Sequence, residues 1–241
     1  MKKINIGYTN NSFENDGYFY QKKNKNGLNH KTNYSVLSNF DFVPKLISDN
    51  EFDSTWEWID GKSLDNPTKE DLIKLVNILK ILHNSNVQFS KSNIRRRIMV
   101  YRQILKEKNI RIDIIDDFYQ KINNILKNID TSKPIHGDLY RTNIIKRNSD
   151  GKLFIVDWEY SHMGDIHYEL AYIIEAYEFD RETEIFFLKE YGNYDPYILL
   201  KHKILVNYIT VLWLYSQNEM PFSPNKILEK LRIMYKEINE K

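Results

Sequence analysis

Between His136 and Glu159 the polar residues fall at intervals that few folds can accommodate. His136-Gly137-Asp138 is followed by Asn143, five residues after the aspartate. Two apolar runs come next, Ile144-Ile145 and Leu153-Phe154-Ile155-Val156, and Asn148-Ser149-Asp150-Gly151 between them predicts a hairpin turn. Asp157-Trp158-Glu159 closes the segment. A hairpin returns the chain to where it started, so Asn143 and Asp157 are expected on one wall of a cleft. A carboxylate able to take a proton, beside two oxygen donors suited to a hard cation, is the set that phosphoryl transfer requires. Each piece alone has a bland reading: His-x-Asp is common, Asp138 could cap a helix, and Asn143 could serve a turn. The ordered conjunction carries the argument.

The flanking sequence changes character on either side. Ile4-Asn5-Ile6 and Tyr18-Phe19-Tyr20 read as short strands, with Gly7, Asn10, Asn11, Asn15, Asp16 and Gly17 as punctuation. Ser54-Thr55-Trp56-Glu57-Trp58-Ile59 reads as another, closed by Asp60-Gly61. Pro67-Thr68 then opens a helix with Leu72, Leu75, Val76, Leu79 and Leu82 on one face and Thr68 as its N-cap. Further helices are expected near Ile94–Lys106 and Asp113–Ile129, and from about Tyr168 to the end. The fold class is therefore α+β. A small β-rich N-terminal lobe over residues 1-60 ends in a hinge near Glu57–Gly61, and a larger, mostly helical C-terminal lobe over residues 61-241 carries the inserted hairpin.

Composition removes several functions. Thirty-five basic against thirty-three acidic residues leave a net charge of +2, with no electrostatic footprint for nucleic acid. The absence of cysteine excludes disulfides, thiolate catalysis and zinc–cysteine sites, and suits a reducing cytoplasm. Met1–Asn11 holds no apolar run of the secretory kind. The longest apolar stretch, Ile204–Tyr215, is short for a membrane span and is interrupted by Asn207 and Thr210, so no membrane insertion is expected.

His136-Gly137-Asp138 with Asn143 resembles the catalytic signature of the aminoglycoside phosphotransferase and choline kinase superfamily. Ile155-Val156-Asp157-Trp158-Glu159-Tyr160-Ser161-His162-Met163-Gly164-Asp165, continued by Glu169-Leu170-Ala171, is most similar to its choline kinase branch of the bacterial LicA type. Gly7-Tyr8-Thr9-Asn10-Asn11-Ser12-Phe13 resembles the family's nucleotide loop, and Glu57-Trp58-Ile59-Asp60-Gly61 its hinge. The resemblance implies a protein-kinase-like two-lobed fold, ATP and Mg2+ as cofactors, and a small-molecule alcohol such as choline as substrate. It assigns Asp138 as the catalytic base, Asn143 and Asp157 as metal ligands, and His136 as a clamp on the loop. Thr9 and Asn10 would close over the phosphates, and Glu57 to Ile59 would meet adenine.

Two departures stand out. Gln21 falls where the family carries a basic residue on the third strand, and Lys22 follows it; Asn29 and Asn33 offer no acidic partner on the next segment. Either Lys22 takes the phosphate in a shifted register or the ion pair is missing. In the acceptor pocket the resemblance assigns Glu159 and Trp213, but Thr210 stands where a first tryptophan is usual, so Tyr208 or Tyr177 would supply the missing aromatic face for a quaternary ammonium. Ordinary core packing is the alternative for these aromatics. Other acceptors (ethanolamine, thiamine, an aminoglycoside) and a catalytically silent nucleotide-binding module also remain open, the retained Asp138, Asn143 and Asp157 weighing against the last.

Overall fold

The structure, a computed structural model, describes residues 2–4 and 10–239. Its first part is an antiparallel sheet of β1 (Lys2–Ile4), β2 (Asn11–Asn15), β3 (Tyr18–Lys22), β4 (Leu46–Asp49) and β5 (Asp53–Glu57), in the order β1-β2-β3-β5-β4. Asp16 and Gly17 join β2 to β3 with φ of +49° and +79°, the two-residue turn that matches the twist of paired strands. Asn11 and Asn15, read from sequence as turn residues, are the two ends of β2, because pairing with β3 outweighs their weak strand preference.

After β5 the chain crosses residues 58–60 and enters β6 (Gly61–Ser63). Then come α1 (Lys69–His83), α2 (Ile94–Glu107), α3 (Asp113–Lys127) and β7 (Lys133–Ile135). The hairpin expected after the catalytic segment is β8 (Ile144–Arg147) and β9 (Leu153–Ile155), and β6 joins it in a sheet ordered β6-β8-β9. Finally β10 (His162–Gly164) pairs with β7, and α4 (Ile166–Ala176), α5 (Arg181–Tyr191), α6 (Pro196–Ser216) and α7 (Asn225–Asn239) complete the helical part. A small antiparallel-sheet part and a larger helical part thus make up the α+β fold. Thr68 caps α1 through a reciprocal pair, its hydroxyl accepting from Asp71 N and its own N–H donating to the Asp71 carboxylate.

The core gathers on α6. Ile204, Leu205, Tyr208, Val211, Leu212 and Leu214 are fully enclosed there by α2, α3, α4 and α7. Among the described residues α6 is the one helix long and apolar enough to cross a membrane, but most of it is buried as the central helix of the fold. The apolar stretch seen in the sequence is its C-terminal half.

Gly61 marks the change from one sheet to the other. A Cβ there would sit 2.5 Å from the Lys146 carbonyl oxygen and 2.8 Å from the Ile145 side chain. Gly61→Ala is therefore expected to push β6 off β8 and cost about 1–3 kcal/mol, the usual range for overpacking. Denaturant unfolding with an unchanged m-value checks this.

Candidate functional site

The catalytic loop is held from below by buried polar groups. His136 is fully enclosed; its Nε2–H donates to the Val156 carbonyl at 2.9 Å, and its Nδ1 accepts from Asp138 N at 3.3 Å. Those two partners define the neutral tautomer and make His136 a clamp on the loop. Gly137 adopts φ of +77°, and a Cβ on it would meet the His162 ring and the Tyr160 carbonyl at 2.8 Å. Its N–H donates to Glu169 Oε1 at 2.9 Å. Asp138 follows, half-buried, with its carboxylate Oδ1 accepting from the Tyr172 hydroxyl of α4.

The hairpin does what its sequence implied. Val156 N donates to the Asn143 carbonyl at 3.0 Å and Ile144 pairs with Ile155, so Asn143 and Asp157 come to adjacent places on one wall. Asn143 spends its amide N–H on the Asp138 carbonyl at 2.8 Å, which leaves Oδ1, 3.5 Å from the Thr142 hydroxyl, as the atom with which it could hold a hard cation. Asp157 lies in the left-handed region, φ +64° and ψ +59°, a strained setting for a non-glycine residue. Burial pushes its carboxyl up to about 7, helped by the charges of Glu159 and Asp138, while a hydrogen bond from Gln21 works the other way. A carboxylate so placed is short of positive charge. Hard oxygen donors with that deficit fit a magnesium ion, and the described residues contain no group of three or more His, Cys, Asp or Glu side chains that would hold a metal unaided. A metal shared with nucleotide phosphates suits such a set.

Above this wall lies a cavity of about 490 Å³. Phe19, Ile59, Ile145 and Val156 give it an apolar interior, Glu57 and Trp58 border it at the crossing, and Gln21, Asn143 and Asp157 form its polar end. Gln21 Nε2 donates to Asp157 Oδ1 at 3.1 Å. Strand alternation decides the register question. Phe19 and Gln21 face the cavity, and Lys22 is exposed on the other face of β3, so the structure does not bring Lys22 to the site. Lys23 is on the inner side but is bound to Asp49 at 2.5 Å. Asn10 reaches inward, with Oδ1 accepting from Asn24 N at 3.0 Å and a buried Nδ2 lacking any hydrogen-bond partner. Thr9 lies outside the described residues.

The expected acceptor residues are not gathered in one place. Glu159 is buried, and its Oε2 accepts from Asn29 Nδ2 at 2.6 Å and lies 3.1 Å from His30 Nε2. Burial lowers the His30 ring to about 4, so this approach is not an ion pair, and His30 Nε2 takes its hydrogen bond with Asn10 Oδ1 at 3.0 Å. Glu159 thus ties the catalytic segment to the N-terminal part. Tyr208 is fully enclosed and accepts from Arg102 Nη1 at 2.9 Å, a core position facing α2. Tyr177 lies beside Arg141, with 6.0 Å from guanidinium to ring. Trp213 meets Phe222 at 6.3 Å between ring centres. It stands eleven residues along α6 from His202, whose ring meets Tyr168, or about 16 Å at the rise of an α-helix. The roles of Asn29, His30 and Tyr172 as side-chain partners were missed in the sequence, because they depend on residues 34 to 130 positions away in the chain.

The chain matches the phosphotransferase enzyme family over residues 32–197. It is 42% identical over 231 residues to a protein LicA homolog of Mycoplasma capricolum subsp. capricolum, covering 95% of each chain. Among solved structures it resembles the choline kinase LicA from Streptococcus pneumoniae, with a TM-score of 0.78, 18% identity, and coverage of 98% of this chain and 94% of that one. A structure of LicA in complex with AMP aligns with a TM-score of 0.75 and 19% identity over 98% of this chain and 90% of that one. These likenesses establish the protein-kinase-like fold.

The Asp157 carboxyl gives a test without ligands. Its folded value lies above the usual 3.8, so the fold favours its neutral form. Its contribution is most favourable below the usual value and is lost as pH rises toward about 7. Asp157→Asn, always neutral, should therefore raise the melting temperature of the metal-free protein by several degrees at pH 8 and by little at pH 4.5. Equal differences at both pH values would refute the raised carboxyl.

Proposed function

Since the chain belongs to the phosphotransferase enzyme family, we propose that it transfers the γ-phosphoryl group of ATP to the hydroxyl of a small-molecule alcohol, most specifically choline. The reading rests above all on the convergence of Asp138, Asn143 and Asp157 below one cavity. The choline assignment is supported by the likeness to choline kinase LicA, and use of an adenine nucleotide by the AMP complex of that fold.

In this reading the adenine lies between Phe19, Ile59 and Val156 and takes hydrogen bonds from the backbone near Trp58. Asn143 and Asp157 hold magnesium, which supplies charge neutralisation at the phosphates when bound. The acceptor hydroxyl approaches Asp138, whose Oδ1 is fixed by Tyr172. Asp138 takes the proton as the hydroxyl oxygen bonds to the γ-phosphorus. The bond from that phosphorus to the bridging oxygen breaks, and ADP leaves with the electron pair. Gln21 keeps Asp157 in place with a neutral donor, where a lysine would add charge.

Asp138→Asn preserves shape and removes the proton acceptor. A fall in kcat of about a hundredfold or more is expected, the usual scale of general-base catalysis, with Mg-ATP affinity within a few-fold of the wild type. Asp157→Ala should abolish magnesium-dependent ATP binding in calorimetry, since Asn143 alone is a neutral ligand. In a coupled ADP-release assay with choline, ethanolamine, thiamine and kanamycin, choline should give the largest kcat/KM. Release with none of them would refute the alcohol kinase reading as far as this acceptor class goes.

A further inference from the structure

On α2 stands a buried cation for which the reading above has no use. Arg97 lies on the inner face of α2 with Ile94, Ile98 and Tyr101, and only 6% of it is exposed. Its guanidinium stacks on the Tyr160 ring at 4.4 Å. Its Nε is buried without a hydrogen-bond partner, and its side chain forms no ion pair among the described residues. The acid whose charge reaches it is Asp138. Tyr160 in turn fixes its position relative to the chemistry. It lies three residues beyond Asp157, and its carbonyl oxygen sits against Gly137, the residue before Asp138.

A guanidinium removed from water normally spends its N–H groups on a carboxylate, a phosphate or carbonyl oxygens, because the desolvation of an ion is compensated only by such partners. Here the aromatic face supplies part of the compensation and no acceptor supplies the rest. The fork of an arginine matches a carboxylate or phosphate in two parallel hydrogen bonds, which an ammonium cannot do. Through Tyr160 the guanidinium is held next to the loop that carries Asp138.

We propose that Arg97, seated on Tyr160, binds an oxyanion carried by the acceptor molecule and so determines which acceptors or products the site retains. The proposal rests on the reading of Asp138 as the group that meets the acceptor hydroxyl. One chemistry has two sources: a carboxylate or phosphate that the alcohol brings with it, or the phosphate that it carries after transfer. Tyr160 is the positioning residue, since it holds the guanidinium and does not itself bind the oxyanion.

The test compares wild type, Arg97→Met and Arg97→Lys, with thermal melting as a check on folding. Calorimetry with phosphocholine, choline and inorganic phosphate reads the site without turnover. Phosphocholine affinity should fall at least tenfold in Arg97→Met and partly recover in Arg97→Lys, while choline and Mg-ATP affinities stay within a few-fold. That result assigns the oxyanion to the product. If choline is not an acceptor and the wild type instead releases ADP with glycerate or glycerol 3-phosphate, KM for that alcohol should rise at least tenfold in Arg97→Met, which assigns the oxyanion to the acceptor itself. A wild type that binds these phosphates through Arg97 yet releases ADP with no alcohol would sink the kinase reading and with it the acceptor role of Arg97, leaving an oxyanion site of another function. Unchanged affinity and KM for every oxyanion in a folded Arg97→Met would overturn the proposal and leave Arg97 as a packing partner of Tyr160.

Discussion

The arrangement hangs on one buried carboxylate. Glu169 of α4 is fully enclosed, with Oε1 accepting the Gly137 N–H at 2.9 Å and Oε2 paired with His83 Nε2 at 2.9 Å. His83 Nδ1 is bonded in turn to the Tyr191 hydroxyl at 2.8 Å. Burial pushes the Glu169 carboxyl up, but the partnership with His83, foremost, and the Gly137 N–H bring it below its usual value. One side chain therefore fastens α1, α4 and α5 to the residue before Asp138. Loss of a single partner would leave a buried charge uncompensated, the expensive failure for such networks. Tyr172 projects one turn further along α4, so the helix that anchors the loop also orients its carboxylate.

A second set of bonds joins the two parts of the molecule. Gln21 reaches Asp157 from β3, while Asn29 and His30 reach Glu159 from the segment that follows. His30 holds φ of +51° and donates its backbone N–H to the Glu159 carbonyl at 2.8 Å. Asp157 and Glu159 sit on either side of Trp158, so the same short turn presents one acid to the cavity and spends the other on holding the sheet above it.

Much of the site was legible because its chemistry lies in one continuous stretch. Between His136 and Glu159 the loop, hairpin and acids are consecutive, and backbone pairing alone brings Asn143 beside Asp157. The helix at Thr68 was readable from its cap and apolar spacing, and helices were expected near Ile94 and Asp113, where α2 and α3 lie. What sequence could not show depends on partners distant in the chain. Glu159 reads as an acid near a substrate until Asn29 and His30 are seen to occupy it. Tyr208 and Trp213 look like one aromatic stripe, yet five positions along a helix turn them toward different neighbours, Arg102 and Phe222. Arg95-Arg96-Arg97 looks like a solvated charge run, but the helix turns the third of them inward with Ile94, Ile98 and Tyr101. Lys22 was one residue out of phase with β3, and in a strand one residue is the whole difference between inside and outside.

The neutral amide of Gln21 sets the electrical balance of the cleft. Asp157 faces it with the charges of Glu159 and Asp138 close behind, and Lys23, just beyond β3, is already bound to Asp49. Among the described residues that line the cavity the cation is Lys62, which belongs to β6 of the other sheet. If a nucleotide binds there as proposed, the first sheet adds no free positive charge to meet it, and occupancy of the cleft would follow the free concentration of the divalent cation that accompanies it.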